Sequence, residues 1–111
     1  MRSKSQGPRE SVIQTAILQY LRLKGHFAWA NKTMGTYDPK IGRFRANTTM
    51  LGVPDIIGFH KDKNGQVFFI EVKTKQGKLS EHQARFLETA GEYRVTSFVA
   101  RSVDDVIKMG F

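Results

Sequence analysis

The sequence contains no cysteine, which excludes a disulfide framework and any thiolate metal site, zinc fingers among them, and fits a reducing compartment. Long apolar runs are also missing. The strongest, Val67 to Ile70, is broken by Glu71 and falls far short of the roughly 18 residues a membrane span needs. The basic opening MRSKSQGPRE is followed by no signal-peptide apolar segment or small-residue cleavage site, so a cytoplasmic protein is expected. Acidic residues are scarce, 10 against 18 lysines and arginines, giving a net charge of +8 and a pI near 10.1. That balance favours a polyanionic partner, because clustered Lys and Arg attract phosphates and release their counterions. Composition alone does not separate DNA, RNA and an anionic membrane. With 111 residues and 40% hydrophobic content, one α/β domain over 1–111 is expected, with a polar basic tail at 1–7 and a long basic loop at 32–52.

Hydrophobic spacing sets the element order. Ile13, Ala16, Ile17, Tyr20 and Leu21 fall on one helical face, so a helix is expected from about 9 to 24, with Gly25 supplying its left-handed terminus. HFAWAN at 26–31 reads as a strand, and a hairpin around Ile41 to Phe44 fits the loop that follows. DIIGFH at 55–60 and VFFIEVKT at 67–74 read as antiparallel strands joined through Asn64-Gly65. Ser80 with Gln83 forms a capping box, Leu79 can staple onto Ala84, and Phe86, Leu87 and Ala90 mark the buried face of a helix ended by Gly91. A strand at Tyr93 to Ala100 and a short helix begun by Ser102 and Asp105 complete the order α-β-β-β-α-β-α, a small mixed sheet between helices.

The residues that carry chemistry are Gly52-Val53-Pro54-Asp55 at the start of one strand and Glu71-Val72-Lys73 near the end of the next. Residues i and i+2 of a strand share a face, so Glu71 and Lys73 point the same way beside a second acid. Hard oxygen ligands suit Mg²⁺ or Mn²⁺. Such a site can hydrolyse a phosphodiester: the ion activates water and neutralises developing charge, while a lysine orients the water or stabilises the transition state.

Pro-Asp followed on the next strand by Glu-x-Lys resembles the PD-(D/E)xK nuclease superfamily, with its restriction-endonuclease-like core. The GVPD string, the EVKTKQGKLSEHQ run with Gln83, and Glu10 in helix one narrow the resemblance to the virus-type replication-repair nuclease (VRR-NUC) domain. The resemblance implies Asp55 and Glu71 as metal ligands with the Val72 backbone carbonyl, Lys73 as catalytic lysine, Glu10 as an additional acid near the metal, and Gln83 as a supporting helix residue. It further implies an Mg²⁺- or Mn²⁺-dependent DNA endonuclease leaving 5′-phosphate and 3′-hydroxyl ends. Small stand-alone members are phage or bacterial homodimers directed at branched DNA. Lys32, Tyr37, Lys40, Arg43, Arg45 and Lys75, with Arg2 and Lys4 of the tail, are expected to contact DNA.

Each residue also has a structural reading. Asp55 suits a turn after Pro54, Glu71 can pair with Lys73 or Lys75, Glu10 suits the positive end of a helix, and Gln83 is fully explained as a capping-box residue. Against this, Asp55 and Glu71 together want a cation, and Gln83 lies on the inward stripe, where a polar group wants a partner. His26, His60 and His82 show no ligand spacing. Phe27, Trp29, Phe68, Phe69 and Phe98 read as core, and Tyr37 and Phe44 as better stacking candidates. A tight turn at Asn64-Gly65 would pair Ile56 with Lys73 and put Asp55 on the wrong face. The functional reading therefore requires an odd-length loop or a bulge that sets Asp55 beside Lys73 and Ile57 beside Glu71. A non-catalytic nucleic-acid-binding module and a subunit of a repair or packaging assembly are the rival readings.

Overall fold

The computed structural model describes residues 7–31, 36–45 and 51–111. The elements run α1 (Glu10–Leu23), β1 (Phe27–Ala30), β2 (Thr36–Asp38), β3 (Arg43–Arg45), β4 (Ile56–Phe59), β5 (Val67–Val72), α2 (Glu81–Glu92), β6 (Thr96–Ala100) and α3 (Val103–Lys108). β2 and β3 form the separate antiparallel hairpin that the loop pattern suggested. The other four strands make one mixed sheet in the order β1-β4-β5-β6, antiparallel except for the β5–β6 pair.

The apolar stripe of α1 determines how the sheet is covered. Ile13, Ile17, Leu18 and Leu21 are buried with Ala28, Ile56, Phe68, Ile70 and Val72, and Val106 of α3 and Phe111 close the same core. These strand residues share one face, so α1 and α3 cover that face. The opposite face carries Ile57, Phe59, Phe69 and Glu71, and Phe69 meets Phe86 of α2 with ring centroids 5.1 Å apart. α2 thus covers the β5–β6 side of the second face.

Local signals placed the helix ends well, with one exception. Ser80 accepts the Gln83 N–H while the Gln83 side chain accepts the Ser80 N–H. Ser102 accepts from Asp105 in the same manner. Helix α2 continues past Gly91 to Glu92, and Arg94, not a glycine, takes the left-handed conformation after it, at φ 60°. Only Ala90 of its expected buried stripe is fully buried, since Phe86 and Leu87 lie at the edge of the covered area.

The β4–β5 connection resolves the register. The Asn-Gly turn forms, closed by the Gln66 N–H on the Lys63 carbonyl at 2.9 Å, with positive φ at both Asn64 and Gly65. The ladder does not grow from it. Instead the His60 N–H donates to the Gln66 carbonyl, and Lys61 to Gly65 form an odd-length loop. The cause lies in His60, which is buried beside His26, Phe68 and Phe111 and whose Nδ1 accepts the Asp62 N–H. Anchoring this side chain fixes the strand end before the turn. The resulting register pairs Ile56 with Ile70 and Ile57 with Phe69. One step further along, Asp55 stands opposite Glu71, two residues away from the expected partner Lys73, yet on the required face.

Two aromatic expectations need correction. Phe68 is core, but Phe27 is 68% exposed and Trp29 only half-buried. They occupy the part of the second face that α2 does not reach.

Candidate active site

The two carboxylates meet where β4 begins and β5 ends. Asp55 Oδ2 accepts the Val72 N–H at 2.8 Å, so the backbone of β5 orients the acid supplied by β4. Asn31 braces the same segment twice, its N–H donating to the Asp55 carbonyl at 2.7 Å and its side chain to the Pro54 carbonyl at 3.2 Å. Glu71 is 1% exposed. Its Oε2 accepts from Gln83 Nε2 at 3.2 Å and lies 3.9 Å from Lys73 Nζ. Its Oε1 is buried and has no hydrogen-bond partner.

Burial pushes the Glu71 carboxyl up to about 9, and the Asp55 carboxylate beside it adds to the shift by favouring a shared proton and repelling a second charge. Lys73 works in the opposite direction, while the charge of Glu10 reinforces the rise. Glu10 therefore belongs to the electrostatic neighbourhood of this site. It is half-buried at the start of α1 and lines a cleft of about 460 Å³ with Arg9, Thr74, Gln76 and Gly77.

Gln83 does both things weighed for it. Its Oε1 completes the capping box and its Nε2 reaches Glu71. The contact is with Glu71, so Gln83 orients the carboxylate. Gly52 explains why α2 starts at this spot. At φ +81°, it lies so close to the His82 carbonyl and the Gln83 N–H that a methyl group would overlap both. The loop before Asp55 thus packs directly on the first turn of α2. Asn31 and Arg101 were not singled out by chemistry-bearing motifs, and Gly52 only as the first residue of the GVPD string. Arg101 donates from Nη1 to the Thr74 and Gly77 carbonyls at 2.7 and 2.6 Å and holds the segment beside Glu10. Their roles depend on contacts between elements far apart in sequence, and only the Gly-x-Pro-Asp string hinted at one of them.

The expected DNA-contacting residues divide. Lys40 lies on the β2–β3 turn and Lys75 follows β5, both exposed. Tyr37 is on β2, and Arg43 and Arg45 are on β3, away from the four-stranded sheet in connectivity. Lys32, Arg2 and Lys4 lie outside the described residues. Among the described residues no group of three or more His, Asp and Glu side chains forms a metal cage, so the protein side of any ion here would be the two carboxylates and backbone oxygen. The donor chemistry fits a hard divalent cation: two adjacent carboxylates, one with an unpartnered buried oxygen. A second concavity of about 380 Å³, lined by Phe69, Phe86, Tyr93 and Val95 among others, is apolar and holds no acid.

Asp and Glu-x-Lys thus lie on neighbouring segments of one mixed sheet, with a glutamine helix laid against the glutamate. The family model for the VRR-NUC domain matches residues 38–104, and the chain belongs to that nuclease-type family. Two solved structures share the fold. One, described as a VRR_NUC domain, is 22% identical over 93% of this chain and 95% of that chain, with a TM-score of 0.64. The other, described as a VRR_NUC domain protein, is 19% identical over 93% and 85% of the two chains, with a TM-score of 0.59. No curated protein matches the chain.

Proposed function

We propose that this domain is a Mg²⁺- or Mn²⁺-dependent endonuclease that hydrolyses phosphodiester bonds in DNA. The observation that carries the reading is Glu71: a buried carboxylate beside Asp55, with Oε2 held by Gln83 and Lys73 and Oε1 left without a partner. Removing a carboxylate from water this thoroughly is costly unless a positive charge completes its surroundings. Asp55 and Glu71 would hold the ion, and the Val72 backbone lies at the same point through its bond to Asp55. When bound, such an ion supplies Lewis-acid stabilisation of the phosphoryl oxygens and a lowered pKa for attacking water.

The chain's own groups complete the chemistry. Lys73, 12% exposed at its side chain, is a donor-bearing arm on the face of Glu71, suited to hold the attacking water and to offset negative charge as the phosphorus centre expands. Gln83 keeps Glu71 in one orientation, and Glu10 adds negative potential at the cleft mouth, where a further cation would be attracted. The basic surface, Lys40 and Lys75 included, would grip phosphates without reading sequence. Cutting both strands of a branched substrate calls for two sites, hence a homodimer, which light scattering would detect. Cleavage of labelled four-way-junction, flap and linear duplex DNA with Mg²⁺, Mn²⁺ or EDTA tests the reading. Metal-dependent cutting, strongest on branched DNA, is expected; tight binding with no cutting on any substrate would replace the enzyme with a binding module.

A further inference from the structure

The face of the sheet that carries Asp55 and Glu71 also carries three aromatic rings that α2 does not cover. Phe27 and Phe59 are paired across β1 and β4, as are Trp29 and Ile57. The rings form one cluster, with centroids 5.8 Å apart for Phe27–Phe59 at 22°, 5.8 Å for Phe27–Trp29 and 5.5 Å for Trp29–Phe59. Phe27 is 68% and Phe59 46% exposed. The pleat places them in rows: Asn31 and Asp55 in the first, Trp29 and Ile57 in the second, Phe27 and Phe59 in the third, each about 7 Å from the next. The rings therefore continue directly from the carboxylate site along the same surface.

We propose that Trp29, Phe27 and Phe59 form a stacking platform for unpaired bases next to the phosphate that is cut. This rests on the nuclease reading and gives it a substrate: DNA that is single-stranded on the β1–β4 side of the scissile bond. Every base offers a π-face to an aromatic ring without sequence preference, and a chain of charge +8 attracts the phosphates. Lys61 and Lys63, exposed in the loop after Phe59, lie at the far end of the platform. A second copy of the chain fits this face less well. Three fully exposed aromatic side chains would offer roughly 600 Å², and these are part-buried, against the ~800 Å² that each partner of a stable dimer buries. Extension of the sheet is hindered too, because Arg22 Nε and Nη2 both donate to the outward Ala28 carbonyl of the edge strand β1.

Trp29 is the chain's single tryptophan, so its fluorescence reports the platform without interference. The protein in EDTA is titrated with oligo-dT and with a blunt duplex of equal length, following both Trp29 emission and the anisotropy of labelled DNA. Saturable quenching by oligo-dT and little by duplex is expected, with Phe27→Ala and Phe59→Ala each weakening oligo-dT binding about tenfold. Binding without quenching, or no binding of oligo-dT, overturns the platform. A dimer in sedimentation that both variants convert to monomer also overturns it and makes the face a self-association surface. Because the titration needs no metal and no cleavage, quenching by a protein that never cuts would leave the platform standing and remove the nuclease reading instead.

Discussion

Glu71→Gln should make the metal-free protein more stable at neutral pH while abolishing its activity. Burial and the Asp55 carboxylate raise Glu71 from 4.5 to about 9. A carboxyl raised on folding favours the fold only while protonated. Its contribution is therefore complete below pH 4.5 and is lost as pH climbs toward 9. At pH 7 the folded state holds a proton that the unfolded chain has released. The interval from 4.5 to 7 then costs roughly 3 kcal/mol, at ~1.4 kcal/mol per pH unit. Glutamine keeps the shape, still accepts from Gln83, and can donate its amide to Asp55 with no proton to hold. With a urea m-value of about 1.5 kcal/mol/M, the variant's midpoint in EDTA should exceed that of wild type by about 2 M at pH 7 and by little at pH 4.5. Mn²⁺ should raise the wild-type midpoint and leave the variant almost unchanged, since binding to the folded state alone adds stability. Parallel pH profiles for the two proteins would refute the claim that Glu71 is held against its charge.

Other consequences follow from the same geometry. Gln83→Ala and Ser80→Ala should each cost about 1 kcal/mol of stability, because each removes part of the cap; only Gln83→Ala should slow cleavage, roughly fivefold by the loss of a single hydrogen bond worth about 1 kcal/mol, and equal rates would separate Gln83 from the site. Gly52→Ala should destabilise by about 2–4 kcal/mol, from left-handed backbone strain and overlap with the first turn of α2, as read by urea denaturation; a neutral effect would mean that the loop does not pack there. His26, buried with a pKa lowered chiefly by burial and then by His60, favours the fold in its neutral form, so its contribution is present above pH 6.5 and lost as pH falls below it. His26→Gln should flatten the acid limb of a thermal-stability profile, and an unchanged limb would contradict the assignment.

What the sequence disclosed was mostly local. The capping box at Ser80 and the N-cap at Ser102 were legible because their partners lie three residues away, and the α1 stripe was legible because its period is helical. The β4–β5 register was not, because it depends on the burial of His60 against residues from three other segments, which moves the ladder three residues off the Asn-Gly turn. Pairing Asp55 with Glu71 was readable only as a requirement on parity. Phe27 and Trp29 looked like core because alternation marks a face without saying what covers it. Gln83 had a complete local explanation through Oε1, and nothing in the spacing announced that Nε2 would reach across to β5.

The central claim is that Asp55, Glu71 and Lys73 hydrolyse a phosphodiester together with a divalent ion. Single-turnover cleavage of a labelled junction in Mn²⁺ by wild type, Asp55→Ala and Lys73→Ala, with anisotropy measured on the same samples, tests it most directly. Loss of cutting by at least a hundredfold in both variants, with DNA affinity within a few-fold of wild type, is the predicted result. Cutting that persists in Asp55→Ala, or that wild type sustains in EDTA, would contradict it.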